Sequence, residues 1–263
     1  QVDFSILKRY TDEFQDHSKV YFIRTDYLDN YIQYKKDFKT PTLEPYDYFK
    51  VSTTKLVDYK LSLGRKKSDE KPLLFLAWNL FLQVDSGLNF ETFSFREGQL
   101  PVIINALSRR PTLGLLPTGS GKSLCYQLCA ILQPAVSFVV SPIKALMYDQ
   151  KADLDLAYLS RTNHITSDDD GEDKEKILNE FGAGKYLFIF ISPERFQIKR
   201  FRKHFISVNK NFNVAYAVID EIHCLSEWGH SFRTSYLTLA DTIKRYCKEF
   251  SFIGLTAPAS SHV

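Results

Sequence analysis

The stretch Pro117-Thr118-Gly119-Ser120-Gly121-Lys122-Ser123 has the residue types and spacing of a phosphate cradle. Gly119 and Gly121 let the backbone fold so that successive N–H groups converge on phosphate oxygens. The apolar run Leu113-Gly114-Leu115-Leu116 precedes the loop and a helical pattern follows it, so the helix dipole favours the same anion. Lys122 is placed to reach the β- and γ-phosphates of a nucleotide, and Ser123 to hold Mg2+ through its hydroxyl. The full pattern asks for one more glycine where this chain has Leu116. Further on, Val218-Ile219-Asp220-Glu221-Ile222-His223 puts two carboxylates at the end of an apolar strand, where open α/β sheets bind ligands. Asp220 is suited to hold the metal and Glu221 to orient the water that attacks a γ-phosphate. An Asp-Glu pair alone is usually solvated surface charge; its place behind a strand, after a phosphate loop, is what gives it weight.

These residues need a scaffold. From Pro72 onward, Leu73 to Val84 reads as an apolar helix, and short apolar strands then alternate with longer helical stretches. Leu113 to Leu116, Ser137 to Val140, Tyr186 to Ile191, Ala215 to Ile219 and Phe252 to Leu255 are the strands, with a helix starting near Ile143. Continuous apolar runs between helices predict a parallel sheet buried on both faces. The fold class is α/β, a P-loop lobe with helices on both sides of the sheet, plus a small N-terminal α+β or helical segment. Residues 1–71 differ in composition: they are rich in Tyr, Phe, Lys and Asp and contain a single glycine, Gly64. There Val20 to Ile23 suggests a strand and Asp26 to Phe38 a polar helix. The charged run Gly64 to Pro72 reads as a linker. Residues 1–71 are thus an accessory segment of unassigned function, and residues 72–263 the nucleotide-binding domain.

The chain has 263 residues and a formal net charge of +3, which is compatible with a nucleic-acid partner and equally with a solvated surface. Its four cysteines, Cys125, Cys129, Cys224 and Cys247, form no CxxC pair. They read as reduced thiols of an intracellular protein rather than as zinc ligands. No run approaches the roughly 18 apolar residues of a membrane span. The beginning, Gln1-Val2-Asp3-Phe4, has neither an initiator Met nor a signal pattern, and the chain reads as part of a longer product.

With both motifs placed, the chain from about Leu88 to Ser260 resembles the RecQ family of superfamily 2 DNA helicases. Phe95-Arg96-Glu97-Gly98-Gln99 is similar to the family's motif ahead of the phosphate loop. The resemblance assigns Phe95 and Arg96 to the nucleotide site and implies that Gln99 reads adenine. Pro117 to Gln127 follows the family pattern beyond the loop itself. Val139 to Gln150 resembles motif Ia, whose Ser141 and Lys144 are then DNA-backbone contacts. Ser192-Pro193-Glu194-Arg195 resembles motif Ib. His223 to Arg233 resembles the aromatic-rich loop that couples single-stranded DNA to hydrolysis, which implicates His223 in catalysis and Trp228, His230, Phe232 and Arg233 in DNA contact. Leu255-Thr256-Ala257 resembles motif III, with Thr256 facing DNA. The chain departs from the family at Ile222, Glu227, Ser231 and Pro258, the last where motif III has a second Thr.

The resemblance implies an ATP- and Mg2+-dependent 3′-to-5′ DNA helicase. Its partners would be single-stranded or partly duplex DNA and a second lobe of the same polypeptide beyond Val263, with no membrane and with protein partners unassigned. The lobe alone should bind nucleotide weakly and hydrolyse it slowly. The compartment is intracellular: cytoplasmic in a bacterium, nuclear in a eukaryote. Two other classes stay open, a nucleotide-gated DNA sensor or scaffold without unwinding, and an ATPase that remodels RNA or nucleoprotein.

Overall fold

A computed structural model describes residues 21–24, 49–52, 70–77, 94–133, 135–156, 159, 161–166, 171–182, 185–211, 214–223, 230–246 and 250–257. Two short strands precede the main body, β1 (Tyr21–Arg24) and β2 (Phe49–Ser52), paired in parallel. The expected strand at Val20 to Ile23 is therefore present, shifted by one residue. The expected helix from Asp26 to Phe38 lies outside the described residues. Helix α1 (Glu70–Ala77) begins two residues before the expected boundary at 72, and Leu73 and Ala77 are fully buried in the core of the larger unit.

That unit is one parallel sheet. In chain order come α2 (Gln99–Leu107), β3 (Thr112–Leu115), α3 (Lys122–Ile131), β4 (Val136–Val140), α4 (Lys144–Leu156), β5 (Thr162–Ile165), α5 (Gly171–Gly182), β6 (Phe188–Ile191), a 3-10 turn (Pro193–Gln197), α6 (Lys199–Asn211), β7 (Val214–Ile219), α7 (His230–Tyr246) and β8 (Ser251–Thr256). The six strands lie in the order β3-β8-β7-β4-β6-β5, every neighbouring pair parallel. Every residue of β4, β6 and β7 is buried, as the continuous apolar runs predict.

Alternation along these strands builds two cores. Val139, Phe188, Phe190 and Val218 face the layer of α1 to α4, with Tyr126, Leu128 and Met147. Phe138, Val140, Ile189, Ile191 and Ala217 face the layer of α5 to α7, with Phe181, Phe196, Phe205 and Leu239. Phe138 meets Phe205 edge to face at 4.9 Å, a geometry worth about 0.5–1.5 kcal/mol beyond simple burial. Sequence reading missed β5, because Thr162-Asn163-His164-Ile165 is polar. It is an edge strand buried only at its two ends, so it carries no continuous apolar signal. Among the described residues no helix is long and apolar enough to cross a membrane.

Candidate active site

The C-terminal ends of β3, β4, β7 and β8 are tied to one another by backbone hydrogen bonds. Leu116 N–H donates to the Thr256 carbonyl at 2.9 Å, Asp220 N–H to Val140 at 2.9 Å, and Ile222 N–H to Leu255 at 3.0 Å. The phosphate loop leaves β3 at this edge. Pro117, Thr118 and Gly119 are exposed, Ser120 turns in, and its N–H closes the turn onto the Pro117 carbonyl at 3.1 Å. Gly119 and Gly121 both lie in the left-handed region, at φ 75° and 73°, where side chains are disfavoured. Gly121 is the N-cap of α3, so the loop delivers its N–H groups at a helix N-terminus. The missing glycine has a physical reason. Leu116 is buried, and a Cβ on Gly98, itself at φ 82°, would meet the Leu116 side chain at 2.5 Å. Leu116 thus packs over the bare backbone of the segment that precedes α2.

That segment braces the loop from behind. Gln99 is buried, and its Nε2 donates to the carbonyls of Ser120 at 2.8 Å and Gly121 at 3.0 Å, while its Oε1 accepts the Arg96 N–H at 2.9 Å. The Arg96 guanidinium donates to the Gly119 carbonyl. Phe95 packs half-buried against the core. In this structure, then, the amide expected to read a base is engaged with the loop backbone on both of its ends.

Across the cleft, Lys122 Nζ meets Glu221 Oε1 at 2.9 Å, which joins the loop to the acidic pair. Glu221 sits at φ 49°, a conformation that costs a non-glycine residue about 1–3 kcal/mol and that clusters at functional sites. Its second oxygen is buried without a hydrogen bond, with His223 Nδ1 3.3 Å away. His223 Nδ1 also lies 2.8 Å from Thr256 Oγ1, so the acidic motif on β7 touches the end of β8. Asp220 is almost wholly buried. Its pKa is pushed up to about 6, first by desolvation and then by the Glu221 charge, with Lys122 pulling the other way. A buried carboxylate beside a second one calls for a cation. The Ser123 hydroxyl and the Asp220 carboxylate are the hard oxygen donors Mg2+ takes, one or two from protein and the rest from phosphate and water. The residues present fit that ion.

Two further residues belong to this site, and sequence reading gave them no role. Tyr126 on α3 is fully buried and its hydroxyl donates to Gln150 Oε1 on α4 at 2.6 Å. The same hydroxyl is hydrogen-bonded to Ser123, and Gln150 is hydrogen-bonded to Asp220. The signal was present in α4: Met147, Gln150 and Leu154 are its buried residues, and an amide on an otherwise apolar helical stripe needs a partner.

Of the residues expected to face DNA, Ser141 is buried at the end of β4 with its hydroxyl unpartnered, and Lys144 is half-buried at the start of α4. Thr256 is buried with its hydroxyl on His223 and the Ala257 carbonyl. His230, Phe232 and Arg233 fall in the first turn of α7. Trp228 and Pro258 lie outside the described residues.

The DEAD/DEAH box helicase family matches residues 96–263. The chain belongs to this family. Its sequence relatives are RecQ-type helicases. It is 35% identical over 200 residues to the RecQ-like DNA helicase blm-1 of Caenorhabditis elegans, covering 74% of this chain and 20% of that protein. It is 37% identical over 173 residues to ATP-dependent DNA helicase Q4 of Mus musculus, covering 64% and 14%. With the probable ATP-dependent DNA helicase RecS of Bacillus subtilis (strain 168) it shares 36% identity over 152 residues, 58% of this chain and 29% of that one. The chain therefore spans less than a third of each of these relatives. Among solved structures, the DUF1998 helicase MrfA matches with a TM-score of 0.54 at 19% identity, over 74% of this chain and 30% of that one. That likeness bears out the helicase-lobe fold.

Proposed function

We propose that this chain is the first motor lobe of a RecQ-type, ATP-dependent DNA helicase working 3′ to 5′. The observation that carries the reading is the contact of Lys122 with Glu221 at 2.9 Å. It places the phosphate lysine, the water-orienting carboxylate and the cradle of Gly119 to Ser123 in one cleft at the ends of parallel strands.

The residues act as follows. Loop N–H groups bind the phosphates, and Gln99 and Arg96 hold the loop open from behind, with Gln99 also in reach of the adenine role. Lys122 exchanges Glu221 for the β- and γ-phosphates. Glu221, freed from Lys122, accepts a hydrogen bond from the attacking water and sets its line of approach. Ser123 and Asp220 hold Mg2+, which when bound neutralises charge on the phosphates. His223 links Glu221 to Thr256, so a shift at the end of β8 is felt at the water-orienting carboxylate. Single-stranded DNA crosses the same strand ends, over Ser141, Lys144, Thr256 and the aromatic segment with Trp228, His230, Phe232 and Arg233. A second lobe of the polypeptide completes the nucleotide cleft. The site of action is wherever the cell keeps its DNA, the cytoplasm of a bacterium or a eukaryotic nucleus.

The test is ATP hydrolysis by the polypeptide carrying both lobes, with single-stranded DNA, with RNA and with neither. DNA-stimulated hydrolysis supports the reading. Stimulation by RNA alone points to a remodelling ATPase, and DNA binding without hydrolysis to a sensor or scaffold.

A further inference from the structure

The hydrogen-bonded chain Ser123–Tyr126–Gln150–Asp220 begins and ends on the two side chains read above as the metal's ligands. Its polarity follows from chemistry. The Tyr126 hydroxyl has one proton, and it donates that proton to Gln150 Oε1. Its lone pairs can then only accept, so the Ser123 hydroxyl is the donor to Tyr126. Gln150, having accepted with its oxygen, has only its NH2 to offer, and an ionised carboxylate takes only donors, so the amide of Gln150 faces Asp220. A serine that donates its proton to Tyr126 leaves its lone pairs free for a cation. An aspartate held by the Gln150 amide and by the Glu221 N–H at 3.1 Å keeps its orientation in the ligand-free site.

We propose that Tyr126 and Gln150 are positioning residues for the divalent cation: they preset the proton of Ser123 and the rotamer of Asp220, and through α4 they join that pair to the segment Ser141 to Lys144. Full burial of Tyr126 keeps its hydroxyl protonated, so the donor is constant across the working pH. Six residues separate Lys144 from Gln150 on one helix; a rigid helix transmits a displacement at its N-terminus to the Gln150 amide. This inference rests on the nucleotide-site reading above.

The experiment titrates Mg2+ against a fluorescent ADP analogue bound to the chain, with a parallel measurement of analogue affinity in EDTA. Tyr126→Phe and Gln150→Met are compared with Tyr216→Phe. Tyr216 is also fully buried, donates to the Ala106 carbonyl at 3.1 Å and accepts from Gln133, but touches neither metal ligand. Loss of a residue that orients metal ligands lowers metal affinity about 10–100-fold. Tyr126→Phe and Gln150→Met should therefore raise the half-saturating Mg2+ concentration at least about 10-fold, with affinity in EDTA unchanged. Tyr216→Phe should lose thermal stability with wild-type Mg2+ dependence. Wild-type Mg2+ dependence in both site variants, or an equal shift in Tyr216→Phe, overturns the proposal and leaves the nucleotide site standing. A wild-type chain that binds no nucleotide overturns the nucleotide-site reading and this inference with it.

Discussion

Gly119 and Gly121 share nearly the same φ, 75° and 73°, yet they differ in what surrounds them. A Cβ on Gly119 would meet nothing within 4 Å, whereas a Cβ on Gly121 would meet Gln99 Nε2 at 2.9 Å. Alanine at either position carries the left-handed strain, about 1–2 kcal/mol. At 121 it must also displace the Gln99 amide. A glutamine tip is ordinarily easy to move, but Gln99 is buried and held at both ends, so displacement breaks its bonds to Ser120 and Gly121. Each such bond contributes about 0.5–1.5 kcal/mol. Ligand-free Gly121→Ala should therefore lose about 2–4 kcal/mol and Gly119→Ala about 1–2 kcal/mol, read by urea unfolding. In a Gln99→Ala background the excess at 121 should disappear, since nothing is left to displace. Equal losses in the two single variants would refute the reasoning. So would an excess at 121 that survives the removal of Gln99.

Three other outcomes follow from the same geometry. The folded pKa of Asp220 lies near 6 against a reference of 3.8, so its contribution to stability is complete below the lower value and is lost as pH rises through the upper one. Ligand-free Asp220→Asn should be more stable than wild type by roughly 3 kcal/mol near pH 8, with the gap closing as pH falls toward about 4; a gap independent of pH contradicts this. Burial pushes the Cys125 thiol up to about 12 and the Cys129 thiol higher still. Both should resist a thiol reagent in the folded protein and react on unfolding, as peptide mass spectrometry would show, and labelling of either in the native state sinks the assignment. Finally, the isolated lobe should hydrolyse ATP far more slowly than the two-lobed polypeptide, measured as phosphate release; equal rates would remove the need for a second lobe.

Much of this was legible in the residues because glycine spacing and buried apolar runs are local signals. Gly119-Ser120-Gly121-Lys122 has few uses other than a phosphate loop, and β4, β6 and β7 declare themselves by continuous hydrophobicity. The polar edge strand β5 did not, since an edge buried only at its ends needs no apolar run. The role of Leu116 was also invisible, because it depends on Gly98 lying against it in space. The Gln99 brace and the Tyr126–Gln150 pair were hidden for a similar reason. A buried amide reveals its partner only when two helices and a strand end are brought together, and no sequence distance encodes that meeting.

The central claim is that Gly119 to Ser123, Asp220 and Glu221 form one Mg2+-dependent nucleotide site. The direct measurement is binding of a fluorescent ATP analogue to this chain with and without Mg2+, beside Lys122→Ala. The account predicts Mg2+-dependent binding that weakens at least about 10-fold in the variant, the loss expected when a charge-assisted bond of about 1.5–3 kcal/mol is removed. Binding that ignores both Mg2+ and the loss of Lys122 would contradict it.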